Sequence, residues 1–311
     1  MTTTPLALRG RTARPEPTRR RRAGAPRHLR AILAFVLPFT ILFALFYALP
    51  VGYAIWESLL VVKRDGTFGQ AHEVFGWFSQ YALVFQNGPF WLSVGRVLLF
   101  GVVQVPVMLA LALVFALLLD SPLVRGKRFF RLAYFAPYAV PGVVAAIMWG
   151  FLFSPNLSPF TDLTRNVNFL GSDLVLWSIA NVVTWVYVGY NMLIIYSALL
   201  AIPQEVYEAA RLDGAGQFRI AWSVKIPLVR PALLLTAVFS IIGTLQLLDE
   251  PQVFASFSSA VTSTYTPNLT VYATSSLPNY NLAAAFSVVL ALATFVLSFT
   301  FLRVTQRKEA Q

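Results

Sequence analysis

Long apolar runs alternate with short polar stretches along this chain. The runs cover about 31–56, 91–119, 130–153, 174–200, 231–250 and 281–303, each almost free of charge. A helix rises about 1.5 Å per residue, so ~20 such residues cross the ~30 Å hydrocarbon core of a bilayer. The pattern predicts an all-α integral membrane protein with six transmembrane helices. The stretches between the runs read as loops: 57–90, 154–173 and 251–280 on one side, 120–129 and 201–230 on the other. Turn and polar residues mark them, as in SPNLSP at 154–159 and STYTPN at 263–268. The stretch 201–230 is charged and helix-friendly, broken by Gly214 and Gly216, and predicts helix, glycine turn, helix outside the bilayer.

Composition agrees with a membrane chain, at 57% apolar and 12% charged residues over 311 positions. The net charge of +11 would point to nucleic acid in a soluble protein, so where the bases lie decides its meaning. Nine arginines fall in the first 30 residues, four bases in 120–131, four in 201–231 and three after Phe301. Bases concentrated in one set of loops follow the positive-inside rule. The basicity is therefore topological, no nucleic-acid partner is expected, and membrane lipid is the surrounding partner. Both termini and 120–129 and 201–230 are expected in the cytoplasm, in a multi-pass plasma (inner, cytoplasmic) membrane protein. Residues 1–30 read as a disordered basic cytoplasmic tail, 31–56 as a first, uncleaved span, 57–90 as an extracytoplasmic loop and 304–311 as a second cytoplasmic tail.

Candidate chemistry is sparse. With no cysteine there is no disulfide or thiolate-held metal, and the two histidines, His28 and His72, lie in the tail and a loop. Gly126-Lys127 is followed by Arg128, and no glycine stands five residues before Gly126, so this is not a phosphate-cradling Walker A loop. No catalytic constellation appears: the chain is expected to be no enzyme and to hold no cofactor or metal. The intramembrane polar groups are more informative. At about 100° per residue, Thr184, Tyr187 and Asn191 fall within about 60° of one another on the fourth run, with Tyr190 on the margin. Hydroxyls, amides and aromatics at bilayer depth need partners or water. Such an arc suits a sugar, whose ring faces stack and whose hydroxyls bond; it equally suits hydrogen bonding between helices. On the fifth run Phe239, Gly243 and Gln246 share an arc. Asp249 and Glu250, just before Pro251, read as capping charges on the outer surface, so no acid is expected in mid-span. Pro137 and Pro141 predict a kink in the third run, either lining a cavity or simply packing.

The stretch EAARLDGAG followed by VKIP resembles the EAA loop of type I ABC importer permeases. Glu208, Ala209, Ala210 and Gly214 match its pattern, as do Val224, Ile226 and Pro227; Asp213, Ala215 and Gly216 extend the likeness to the DGAG form of the carbohydrate permeases. From about 91 to 303 the chain resembles the first permease of maltose- and glycerol-phosphate-type systems, with a type I transmembrane domain over 91–303. The resemblance implies a coupling helix in the 201–230 loop, resting in a cleft of a cytoplasmic ATPase. It implies a second homologous permease, two cytoplasmic ATPase subunits that bind ATP and Mg, and an extracytoplasmic substrate-binding protein delivering a sugar. It carries sugar-contacting roles onto Val183, Val186, Tyr187, Tyr190, Phe239, Gly243 and Gln246. The rival expectation is a standalone secondary transporter or channel for a small polar solute.

Overall fold

A computed structural model describes residues 29–66, 69–276 and 279–307. The basic tail expected over 1–30 lies outside the described residues except for its last two, which open the first helix; of the tail at 304–311, residues 308–311 lie outside likewise. Two compact units divide at Val51/Gly52. The first contains α1 (Leu29–Phe43), a π-helical turn over Ala44–Ala48 and the start of α2 (Leu49–Glu57). From Leu33 to Glu57 this segment is continuously apolar and 25 residues long, enough for one span.

The second unit carries the rest. A hairpin, β1 (Leu60–Arg64) and β2 (Ala71–Phe75), pairs antiparallel with Leu60 opposite Phe75 and Arg64 opposite Ala71. It is followed by α3 (Ser79–Gln86) and by α4 (Gly88–Asp120), whose N-terminus is capped by Asn87 Oδ1 accepting from Phe90 N–H at 2.9 Å. Next come α5 (Lys127–Phe135), a 3₁₀ turn over Ala136–Ala139, α6 (Gly142–Phe153), α7 (Thr161–Asn166) and α8 (Val175–Leu200). The charged stretch forms α9 (Gln204–Leu212), α10 (Gln217–Ile220), a π turn over Ala221–Lys225 and the single turn α11 (Ile226–Leu228). The chain ends with α12 (Arg230–Leu245), α13 (Asp249–Phe254), α14 (Pro267–Ser276) and α15 (Tyr280–Arg307).

Among the described residues five helices are long and apolar enough to cross a membrane, and the pair α5–α6, bent by 95°, makes a sixth when taken as one span. The expected kink in the third run is thus a full corner. Pro141 has no N–H to donate and holds Val140 extended (φ −81°, ψ 128°), which ends one helix and starts the next. The loop expected over 57–90 is more ordered than its composition suggests. Buried Gln80 donates to Leu60 O at 3.1 Å, and Asn281 Nδ2 donates to Glu57 Oε2 at 2.9 Å. The first bond holds α3 to β1 and the second ties the end of α2 to α15.

The helix pair α4–α8 is the backbone of the bundle. Ala112, Ala116 and Leu119 of α4 bury against Met192, Ile195 and Leu199 of α8. Small residues on α4 let the axes close, and roughly 25 cal/mol per Å² of buried apolar area favours each such contact wherever the alternative is water. A second cluster joins Ala145 and Ala146 of α6 to Val175, Ile179 and Val182 of α8, and to Phe254 of α13. Gly189 of α8 is set so near the other chain segment that a β-carbon there would lie 1.8 Å from Tyr134 O. At the loop end, Lys225 Nζ donates to Asp120 Oδ2 in a buried ion pair and stands 5.2 Å over the Tyr207 ring. Burial, and next the Asp120 charge, raise the Tyr207 phenol above its ordinary pKa.

Candidate functional site

A cavity of about 430 Å³ opens among α4, α8, α12 and the segment after it. Tyr187, Tyr190, Asn191 and Val183 line it from α8; Phe239, Ser240, Gly243 and Thr244 line it from α12. Gln104 and Met108 enter from α4, and Gly142 from the corner at the start of α6. The far wall is the break Gln246–Leu248 between α12 and α13, continuing through Asp249 and Glu250. Gln246 is exposed with φ −94° and ψ 11°, so α12 stops there and its side chain is left on the cavity wall.

Of the residues singled out in the sequence, Tyr187, Tyr190, Asn191, Gly243 and Gln246 come together here. Tyr187 is 40% exposed and meets Tyr138 edge-on at 5.8 Å, while Tyr190 stacks on Tyr138 at 4.7 Å and 16°. Gly243 presents open space where a β-carbon would stand. Thr184 does not line the cavity; its hydroxyl accepts from Gln104 Nε2 at 3.3 Å, a bond between helices. Asn191 is buried and its Nδ2 donates to Met108 Sδ at 3.6 Å. The arc on the fourth run therefore divides, with tyrosines on the cavity and Thr184 bonded across to α4. Val186, which the family resemblance brought in, is 4% exposed in the apolar core.

Three residues escaped the sequence reading. Tyr138 sits in the 3₁₀ turn between the two prolines, and an aromatic there completes a three-tyrosine cluster. Gln104 is an amide deep in the second run, and a polar group at that depth was the available signal. Its Nε2 contacts Met108 Sδ and Thr184, but its buried Oε1 has no hydrogen-bond partner among the described residues. The third is Glu250. Asp249 and Glu250 do occupy the first turn of α13, where negative charge is favoured. Glu250 is nevertheless 8% exposed and on the cavity wall, not on the outer surface. Beyond the break α13 packs against α6, so that Glu250 Oε1 lies 3.7 Å from where a β-carbon on Gly142 would stand. A carboxylate inside the bundle, expected to be absent, is present.

At the opposite end of α12 and α8 lies the charged stretch. Gly214 adopts φ +77°, the left-handed conformation that glycine takes most readily. Gly214 N–H donates to Arg211 O and Ala215 N–H to Ala210 O, both at 3.0 Å. This paired closure seals the C-terminus of α9 and reverses the chain into α10. Glu208, Ala209, Asp213, Gly216 and Pro227 are exposed, Ala210 and Ala215 half-buried. Leu212, Phe218 and Trp222 are 89%, 83% and 68% exposed, an apolar surface on an otherwise charged segment.

Comparison with known proteins accounts for this arrangement. The family model described as binding-protein-dependent transport system inner membrane component matches residues 108–308. The lactose transport system permease protein LacF of Rhizobium radiobacter is 29% identical over 281 residues, covering 85% of this chain and 90% of that protein. The sn-glycerol-3-phosphate transport system permease protein UgpA of Yersinia enterocolitica is 30% identical over 284 residues, covering 88% and 93%. Among solved structures, a bacterial alginate ABC transporter in complex with an alginate pentasaccharide-bound periplasmic protein shares the fold. There the TM-score is 0.74 at 16% identity, over 89% of this chain and 94% of that one. The protein is a multi-pass inner-membrane transport subunit, not an enzyme, and it belongs to the family of binding-protein-dependent transport system inner membrane components.

Proposed function

We propose that this chain is one of two homologous permeases of an ATP-driven sugar importer. In this reading two cytoplasmic ATPase subunits bind ATP and Mg and dock at the 201–230 loop, and an extracytoplasmic binding protein delivers the sugar. Both termini face the cytoplasm. The carrying observation is a connection. The helix bearing Tyr187 runs directly into α9, and the helix bearing Gly243 and ending at Gln246 leaves from α11. A displacement of the loop is transmitted to both sides of the cavity by two continuous helices, as alternating access requires. The exposed Leu212, Phe218 and Trp222 beside Glu208 supply an apolar patch with a charged rim for the ATPase.

Tyr187, Tyr190 and Gln246 are assigned to sugar contact: stacking from the tyrosines, hydrogen bonds from their hydroxyls and the amide. Gly243 leaves room for the ring, and Asn191 and Thr184 hold the wall through Met108 and Gln104. The names of the LacF and UgpA relatives support a sugar or sugar derivative as cargo. The test is binding-protein-dependent uptake by the reconstituted complex. Tyr187→Ala and Gln246→Ala should each reduce uptake by roughly tenfold or more, the loss of one or two contacts of about 1–1.5 kcal/mol. Ala284→Val, on α15 and off the cavity, should change it less; the opposite ranking would remove the cavity from the transport path.

A further inference from the structure

The cavity wall carries two carboxylates, Asp249 and Glu250, and no lysine, arginine or histidine among the described residues. Every other polar group on it is an uncharged hydroxyl or amide. Two bases in the helices and loop around it are held elsewhere. Arg96 donates to Tyr265 O at 2.7 Å and lies 4.3 Å over that residue's ring; Lys225 is paired with Asp120. No ion pair involves Asp249 or Glu250 among the described residues.

An anionic substrate entering this space loses hydration and gains no countercharge from the described residues of this chain. A hydroxyl or ammonium group gains acceptors instead. We propose that the cavity selects against anions, and that the cargo is a saccharide without phosphate or carboxylate groups, its hydroxyls donating to Asp249 and Glu250. This rests on the transport reading of the cavity given above, and separates this chain's cargo class from the phosphorylated ligand named for the UgpA relative and the acidic polysaccharide named for the alginate transporter.

The chain has no cysteine, and a β-carbon at Gly243 meets nothing within 4 Å, so Gly243→Cys places one thiol in the cavity. The probes are two methanethiosulfonates of similar size, trimethylammonioethyl (cationic) and sulfonatoethyl (anionic). They are applied to the complete transporter with cysteine-free partner subunits, and each rate is normalised to that with free mercaptoethanol. The cationic reagent should be favoured by at least about tenfold, and Asp249→Asn with Glu250→Gln should bring the ratio to within about threefold of free thiol. A ratio below about threefold with both acids intact, or one untouched by their removal, overturns the proposal. The same rates measured with ATP and vanadate test the underlying reading separately. Rates indifferent to nucleotide would mean the cavity is not on the transport path. Rates that respond to nucleotide but show no charge preference would defeat the charge proposal alone.

Discussion

Asp120 and Lys225 join the last residue of α4 to the segment leading into α12, with side chains only 14% and 10% exposed. Removing one partner of a buried pair leaves the other charge without compensation, at about 3 kcal/mol or more, whereas replacing both by apolar groups is often near neutral. Asp120→Asn should therefore lower the thermal unfolding midpoint of the purified complex, and Asp120→Leu with Lys225→Met should recover most of it. A double variant no more stable than the single would show that the pair itself is not the cause. At this scale Tyr187 and Gln246 were legible, because a polar or aromatic group inside an apolar run stands out. Glu250 was not, since its place beside Pro251 at the end of a run is compatible with a surface cap. Only the packing of α13 against α6 reveals otherwise. The Asp120–Lys225 pair was equally hidden, as each residue alone reads as a loop charge.

Among the elements, the corner between α5 and α6 and the closure after α9 rest on single residues. Gly189 of α8 passes the α5 segment so closely that an added β-carbon would overlap Tyr134 O, and backbone cannot yield as a side chain can. Gly189→Ala should cost about 1–3 kcal/mol, seen as a lower unfolding midpoint and lower yield in the membrane. Gly95→Ala on α4, where a β-carbon meets nothing within 4 Å, should be neutral or slightly stabilising. Gly214 has a different role. An aspartate there must hold φ +77° on a face proposed to dock an ATPase. Gly214→Asp should abolish uptake while leaving the protein in the membrane; unchanged uptake would detach this loop from coupling. The helices themselves were largely readable, with bounds a few residues from those expected. The hairpin at 60–75 was not, because its short strands carry no alternation strong enough to rise above a polar loop.

In the proposed topology, six spans among the described residues and bases concentrated in one set of loops place both ends in the cytoplasm. A reporter fused after Arg303 should be active only in the cytoplasm; a signal from outside would overturn the proposed topology. Hydrophobic periodicity conveyed the spans because the bilayer imposes length and composition on each helix separately. The cavity depends on which helices meet, and on breaks such as Gln246–Leu248 that periodicity does not register. That break also has a mechanical consequence. With 16 residues at about 1.5 Å each, α12 is a stiff rod some 24 Å long, anchored beside Lys225 at one end and ending at Gln246 on the cavity wall. Tilting such a rod by about 10° at its anchor displaces its tip by about 4 Å, close to the thickness of a sugar ring. Because the helix stops at the cavity, its tip carries that displacement to the wall.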